Sequence, residues 1–258
     1  MAKVATAVTN KPAWVDLATT DAEAARDFYA KLFGWSLEVS EDPQYGGYAT
    51  AKLGDQSVAG IGPKQEGDQG PTAWSLYIGT DAIDGLSTKV QEAGGSVIAP
   101  PFDVGDQGRM AVFADSSGAV ISGWQAAEMS QFVAGIPNAF GWAELNARGL
   151  DRAVAFYETV FGWTHSTSPF GEGEVYTQFE HDGQPVAGAL EMSPQIPGET
   201  PSNWLIYFTV DEVDARFKKA IELGGQEMVP PTDMPGGRFA IVGDPQGAAF
   251  GILNVQQP

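Results

Sequence analysis

Between Ala13 and Thr19 the chain alternates, with Val15 and Leu17 on one side and Trp14, Asp16 and Ala18 on the other, the period-two pattern of a strand with one face buried. The period then changes. From Asp21, a residue suited to an N-cap, the apolar residues Phe28, Leu32 and Phe33 fall at i, i+4 and i+5, which predicts a helix over 21–33 that stops at Gly34. Strands are predicted over 35–40, 45–53 and 56–62. The same β-α-β-β-β order follows again, with a strand over 73–79, a helix over 82–92 ending at Gly94-Gly95, and strands over 96–98, 109–114 and 119–124.

The whole pattern then repeats. Phe28-Tyr-Ala-Lys-Leu-Phe-Gly-Trp35 returns 128 residues later as Phe156-Tyr-Glu-Thr-Val-Phe-Gly-Trp163, with five of eight positions identical. At that offset Trp14 matches Trp142, Asp16 matches Glu144, Tyr48 matches Tyr176, and Ala59-Gly60 matches Ala187-Gly188. Further on the offset shifts by one or two, pairing Trp74 with Trp204, Tyr77 with Tyr207, Pro100-Pro101 with Pro230-Pro231 and Gly108-Arg109 with Gly237-Arg238, as loop insertions in a duplicated domain allow. Domains are expected at 12–126 and 138–256, with 127–137 as a linker over the surface and helices of the second domain near 151–161 and 211–223. The chain is thus four β-α-β-β-β modules of the α+β class with strongly curved sheets.

Composition narrows the function. The chain has 258 residues, 43% hydrophobic and 18% charged, which describes a folded globular protein and excludes disordered and fibrous classes. A net charge of -19 repels phosphate backbones and anionic lipid heads, so neither nucleic acid nor a membrane is expected as a partner. No apolar run is long enough for a signal peptide or a span, and the expected location is the cytoplasm. With no cysteine there is no thiolate metal site and no Cys nucleophile.

The first strand, the Phe-Tyr and Phe-Gly-Trp motifs, and the turn Asp244-Pro-Gln-Gly247 resemble the vicinal oxygen chelate superfamily of glyoxalase I, extradiol dioxygenases, and fosfomycin- and bleomycin-resistance proteins. The resemblance covers nearly the whole chain. It is similar in particular to tandem two-domain glyoxalase-like or hydroxylase proteins of antibiotic-producing bacteria. It implies two tandem glyoxalase-like domains and says less about chemistry, because the fold hosts many reactions. In the family's metal enzymes, His, Gln or Glu residues on the first strand of each module and a Glu on its last strand hold one divalent ion. Those positions correspond here to Trp14, Ser75 and Ser122, and to Trp142, Leu205 and Gly251, with Glu191 the only acid near the remaining one. This departs from the metal-binding pattern at nearly every ligand, so neither a metal nor any other cofactor is expected.

What the clefts hold instead follows from alternation. Trp14, Asp16, Ser75 and Tyr77 would line one, and Trp142, Glu144, Asn146, Leu205 and Tyr207 the other. Trp124, Arg109 and Arg238 complete the ligand-binding candidates. An aromatic lining with one carboxylate per half suits an apolar or aromatic small molecule held by stacking and a few polar anchors, although the tryptophans could equally fill the volume of a lost metal. Asp16 and Glu144 are the candidate general acid or base, since a desolvated carboxyl titrates nearer neutrality. The favoured alternative pairs them with Arg109 and Arg238 as fixed ion pairs. His165, just inside the strand after Trp163, is the third catalytic candidate, whereas His181 reads as a solvated turn residue. Arg148 and His165 would also make the second half the more polar one, where Thr20 and Leu37 stand in the first.

The expected function is metal-independent binding of such a molecule, as a tailoring enzyme of secondary metabolism or as a sequestering, drug-resistance type protein. Metal-dependent glyoxalase or dioxygenase chemistry is disfavoured by the missing ligands. The assembly is expected to be a monomer or a homodimer.

Overall fold

A computed structural model describes residues 9–65, 67–68, 70–128, 132–170 and 173–255. The first repeat is β1 (Pro12–Thr19), α1 (Ala22–Phe33), β2 (Ser36–Val39), β3 (Ala49–Leu53), β4 (Gln56–Pro63), β5 (Ala73–Gly79), α2 (Ile83–Glu92), β6 (Ser96–Val104), β7 (Gly108–Ala114) and β8 (Val120–Ala126). The second is β9 (Phe140–Ala147), α3 (Leu150–Phe161), β10 (Thr164–Phe170), β11 (Glu174–His181), β12 (Gln184–Glu191), β13 (Asn203–Thr209), α4 (Val213–Glu222), β14 (Gln226–Met234), β15 (Gly237–Gly243) and β16 (Ala249–Val255). Each repeat forms one eight-stranded mixed sheet, in the orders β2-β3-β4-β1-β5-β8-β7-β6 and β10-β11-β12-β9-β13-β16-β15-β14. The first strands of two modules therefore lie side by side and antiparallel at the centre of each sheet, which relates the modules by an approximate twofold.

The predicted α1 forms for the stated reasons. Asp21 accepts a hydrogen bond from the Ala24 amide at 3.0 Å, Gly34 ends the helix at φ 75°, and Phe28, Tyr29, Leu32 and Phe33 are buried. Its counterpart α3 starts on a left-handed Gly149 without a side-chain cap of its own. Glu191 at the end of β12 supplies it from a distance, accepting from the Gly149 and Leu150 amides at 2.9 and 2.6 Å. The one acid near a metal position is thereby committed to a helix terminus.

Two expectations about elements are corrected. Residues 45–48 are not strand; Pro43–Tyr45 is a turn of 3-10 helix, capped by Asp42 and closed by Gly46 at φ 57°. The strand expected to end at Ile98 continues through Pro100-Pro101 to Val104. It can do so because β6 is an edge strand with register shifts at that point, where the missing proline N–H groups have no ladder partner to lose.

The two sheets share one core. Phe33 packs at a tilt, 5.0 Å between centroids, against Phe208 of β13, and Phe28 meets Phe250 of β16 at 6.3 Å. Polar groups cross with them. The Tyr29 hydroxyl donates to Asp244 Oδ2 at 3.1 Å and accepts from Trp74 Nε1 at 2.9 Å; reciprocally, Tyr157 donates to Asp115 Oδ2 at 2.8 Å and accepts from Trp204 Nε1 at 2.8 Å. Trp35 and Trp163 donate to the Asn138 and Asn10 carbonyls, each at 2.7 Å. The Phe-Tyr and Phe-Gly-Trp motifs of one repeat thus bind the other repeat, and the Asp turns receive them.

The proposed linker also differs from expectation. Residues 129–131 lie outside the described residues, but Phe132 and Val133 are buried, the Val133 amide donates to the Ser57 carbonyl at 2.9 Å, and Phe132 meets the Trp14 ring edge-on at 5.5 Å. A segment with apolar side chains and a strand-edge partner for its backbone has no reason to stay at the surface. Among the described residues no helix is long and apolar enough to cross a membrane.

Candidate active site

In both repeats one face of the central strand packs on the helices and the other faces a concave cleft. Ala13, Val15, Leu17 and Thr19 are buried while Trp14, Asp16 and Ala18 are half-buried, and β9 repeats this with Trp142, Glu144 and Asn146. The alternation expected from the sequence is the one observed.

On the floor of the first cleft Asp16 Oδ2 receives two hydroxyls, Tyr77 from β5 at 3.0 Å and Tyr48, just before β3, at 3.4 Å. Trp14 Nε1 donates to the Tyr48 oxygen at 2.8 Å, so the Tyr48 proton is directed to the carboxyl. Oδ1 has no hydrogen-bond partner among the described residues. The second cleft repeats the arrangement. Tyr207 donates to Glu144 Oε1 at 3.1 Å, Trp142 Nε1 donates to the Tyr176 hydroxyl at 2.8 Å, and Tyr176 lies close enough to Glu144 to oppose the rise of its pKa.

Glycines make these contacts possible. Gly60 lies beside Asp16 on β4, and a Cβ there would fall 1.7 Å from the Tyr48 hydroxyl; Gly188 lies beside Glu144, and a Cβ there would fall 1.8 Å from that of Tyr176. Any side chain at either place would push the tyrosine off its carboxylate. On the adjacent strand, Tyr207 lies over Gly251 where Tyr77 has Ser122 as its register neighbour.

Among the described residues no cation faces either carboxyl. Burial pushes Asp16 up from 3.8 to about 7, opposed by the hydrogen bonds from Tyr77 and Tyr48. Glu144 is raised for the same reason, opposed by Tyr207 and Tyr176. The nearby carboxylate and burial together push the phenols of Tyr48, Tyr77, Tyr176 and Tyr207 up, which keeps them neutral donors.

The structure corrects several expectations. Arg109 and Arg238 are not partners of Asp16 and Glu144. Arg109 pairs with Asp84 of α2 at 2.7 Å and with Asp103 at 3.0 Å, and Arg238 pairs with Asp214 of α4 at 2.8 Å and with Asp233 at 2.5 Å. Both lie at module edges, because their strands sit next to the edge strands β6 and β14. His165 does not enter the cleft. It pairs with Glu158 of α3 at 2.8 Å, on the helix side of its sheet. Arg148 is taken up by the carbonyls of Ile196, Pro197 and Thr200 and holds that loop, so the expected polar excess of the second cleft reduces to Glu144 and Asn146. His181 ends β11 and approaches Asp182 at 3.5 Å. Trp124 is half-buried on β8, opposite Met110 and Gly79.

Tyr48 and Tyr176 are the site residues the sequence reading missed. Their signal was present, since each recurs at the 128-residue offset together with an Ala-Gly pair, but neither tyrosine's reach onto the central strand follows from spacing.

Metal ligation fits poorly here. Trp14, Trp142, Leu205 and Gly251 offer no donor atom, each half has one cleft carboxyl already engaged by tyrosine, and among the described residues no three His, Cys, Asp or Glu groups converge.

Comparison with known proteins settles the family. The model of the glyoxalase/bleomycin resistance protein/dioxygenase superfamily matches residues 11–122 and 139–252. The chain belongs to that superfamily. It is 42% identical over 249 residues, 94% of each chain, to the Mycobacterium tuberculosis protein CFP32, whose name suggests a glyoxylase. It is 37% identical over 261 aligned positions, 95% of this chain and 94% of the relative, to the anthracycline biosynthesis protein DnrV of Streptomyces peucetius. Among solved structures it resembles the Mn(II)-bound glyoxalase of Novosphingobium aromaticivorans, at TM-score 0.65 and 18% identity over 96% of this chain and 83% of that one. The 2,3-dioxygenase LapB of Pseudomonas sp. KL28 is similar at TM-score 0.64 and 14% identity, over 98% and 95% of the chains. At these identities the structural likeness speaks for the fold alone, the tandem glyoxalase-like architecture read from the sequence.

Proposed function

We propose that this superfamily member binds an apolar, aromatic small molecule in its concave clefts and moves a proton on it through Asp16 and Glu144, without a metal. The observation that carries the reading is the Asp16 carboxyl, held by Tyr48 and Tyr77 with no cation beside it among the described residues, whose burial raises it to about 7. Near neutral pH such a group is present in both its acid and its base form, so it can donate a proton or accept one, which is what general acid-base chemistry needs. Oδ2 is held by the two tyrosines, leaving Oδ1 for the bound molecule. The aromatic walls supply stacking surface for a flat ligand. The kinship with proteins named for the biosynthesis of anthracyclines, which are fused aromatic ring systems, supports the ligand class and a place in secondary metabolism.

The test begins with native mass spectrometry of protein isolated from its source, to capture and identify a co-purified ligand. Conversion of that ligand is then followed for wild type, Asp16→Asn and Glu144→Gln. The amides keep shape and most hydrogen bonds but cannot carry the proton, so turnover should fall by about 10² to 10⁴ for whichever carboxyl acts, with affinity little changed. Full turnover in both variants would remove the carboxyls from the mechanism. Binding with no product from wild type would make the protein a sequestering one.

A further inference from the structure

The two clefts of one chain differ at their mouths. In the first repeat the connection from β2 to β3 is the long segment 40–48, folded around the 3-10 turn at Pro43–Tyr45. The twofold-related connection in the neighbouring module is the β6–β7 turn at Gly105. Because β2 and β6 are opposite edges of the sheet, these connections can meet only across the cleft. They do meet. A Cβ on Gly105 would fall 2.0 Å from the Tyr45 hydroxyl, so the tyrosine lies directly against that glycine, which adopts φ 52°.

The latch is built locally. Asp42 accepts from the Gln44 amide at 3.0 Å, the Tyr48 amide donates to the Tyr45 carbonyl at 2.9 Å, and Arg26 holds the Gly47 carbonyl at 3.1 Å. Gly46 and Gly47, both left-handed, separate Tyr45 from Tyr48. The residue that touches Gly105 is therefore three positions from the residue that hydrogen-bonds Asp16. Nothing equivalent spans the second cleft among the described residues. The counterpart of Tyr45 at the 128-residue offset is Gly173, and a Cβ on Gly173, or on Gly236 in the facing β14–β15 turn, would meet nothing within 4 Å.

We propose that Tyr45 sets access to the first cleft, which admits a ligand only when the Tyr45–Gly105 contact parts, whereas the second cleft has no such latch among the described residues. Hinging at Gly46-Gly47 would move Tyr48 as well, which couples entry to the hydrogen bonding of Asp16. The proposal rests on the reading that the clefts receive the ligand, but its test does not.

The natural chain has no cysteine, so a single introduced thiol reports access without background. Ala18 and Asn146 occupy equivalent half-buried places on the cleft faces of β1 and β9. Ala18→Cys should react slowly with a maleimide and Asn146→Cys quickly. Adding Tyr45→Ala should speed Ala18→Cys by about tenfold, as expected when a local closed state is removed, and leave Asn146→Cys unchanged. Tyr45→Phe keeps the ring and should leave Ala18→Cys slow. Equal rates in the two single-cysteine proteins, no effect of Tyr45→Ala, or equal acceleration at both thiols through general loosening would each overturn the proposal. Failure to find any aromatic ligand would sink the functional reading and leave this labelling result standing.

Discussion

Replacing Asp16 by Asn should make the protein more stable, and increasingly so as the pH rises. The folded chain holds the Asp16 proton to about 7, while a free carboxyl releases it near 3.8. The sign follows from linkage. A folded-state value above the unfolded one means that the native protein binds the extra proton, so the contribution is fully present below the unfolded value and lost as pH climbs through the folded one. The span of about 3 pH units at ~1.4 kcal/mol each sets a ceiling of roughly 4 kcal/mol. The strongly acidic chain loses its net charge and solubility toward the acid end, which leaves a practical range of about pH 5 to 8. Over that range the stability of wild type relative to Asp16→Asn should fall by about 2 to 3 kcal/mol. The comparison cancels Glu144 and every other titrating group, and the amide's own hydrogen bonds to Tyr48 and Tyr77 shift the curve by a constant. Urea unfolding of both proteins at several pH values would measure it. Parallel curves would show that Asp16 titrates like a solvated carboxyl, and a wild type that gains on the variant with rising pH would show that it has a cationic partner. The expected result is a stability cost held at a working site, with activity and stability moving in opposite directions.

Gly188→Ala should dislodge Tyr176 from Glu144 and destabilise the fold by about 1 to 3 kcal/mol, and a bound or substrate-free protein with an unchanged Glu144 titration by NMR would contradict the packing account. Tyr157→Phe leaves Asp115 Oδ2 and Trp204 Nε1 without their shared partner and should cost about 1 to 3 kcal/mol, lowering a single unfolding transition for both repeats rather than splitting off one domain, as calorimetry would show. Elemental analysis of protein purified from its source should find no stoichiometric Fe, Ni, Mn or Zn, and EDTA should leave function intact; one metal per chain with activity lost to chelator would restore a metal mechanism.

Local chemistry made much of this protein legible from its residues. Period-two alternation placed Trp14, Asp16, Trp142 and Glu144 on the cleft faces, because side chains of a strand have only two directions in which to point. The Asp21 cap, the Gly34 and Gly162 stops and the duplicated motifs fixed the helices and the tandem order, because these are decided within a few residues. The partners of the buried groups were decided elsewhere. Arg109 and Asp16 share a repeat pattern, yet the sheet order seats Arg109 beside an edge strand and brings Tyr48 onto Asp16 over a glycine. His165 lies in a strand whose alternation allowed either face, and only the packing of α3 turned it toward Glu158. Tyr29 and Tyr157 each look complete within their own helix, but the acceptor for each hydroxyl proton is the Asp turn of the other repeat. A sequence states which groups must be buried or paired; which of the chemically adequate partners arrives is a matter of three-dimensional neighbourhood, and that is set by the curvature of two sheets around a shared core.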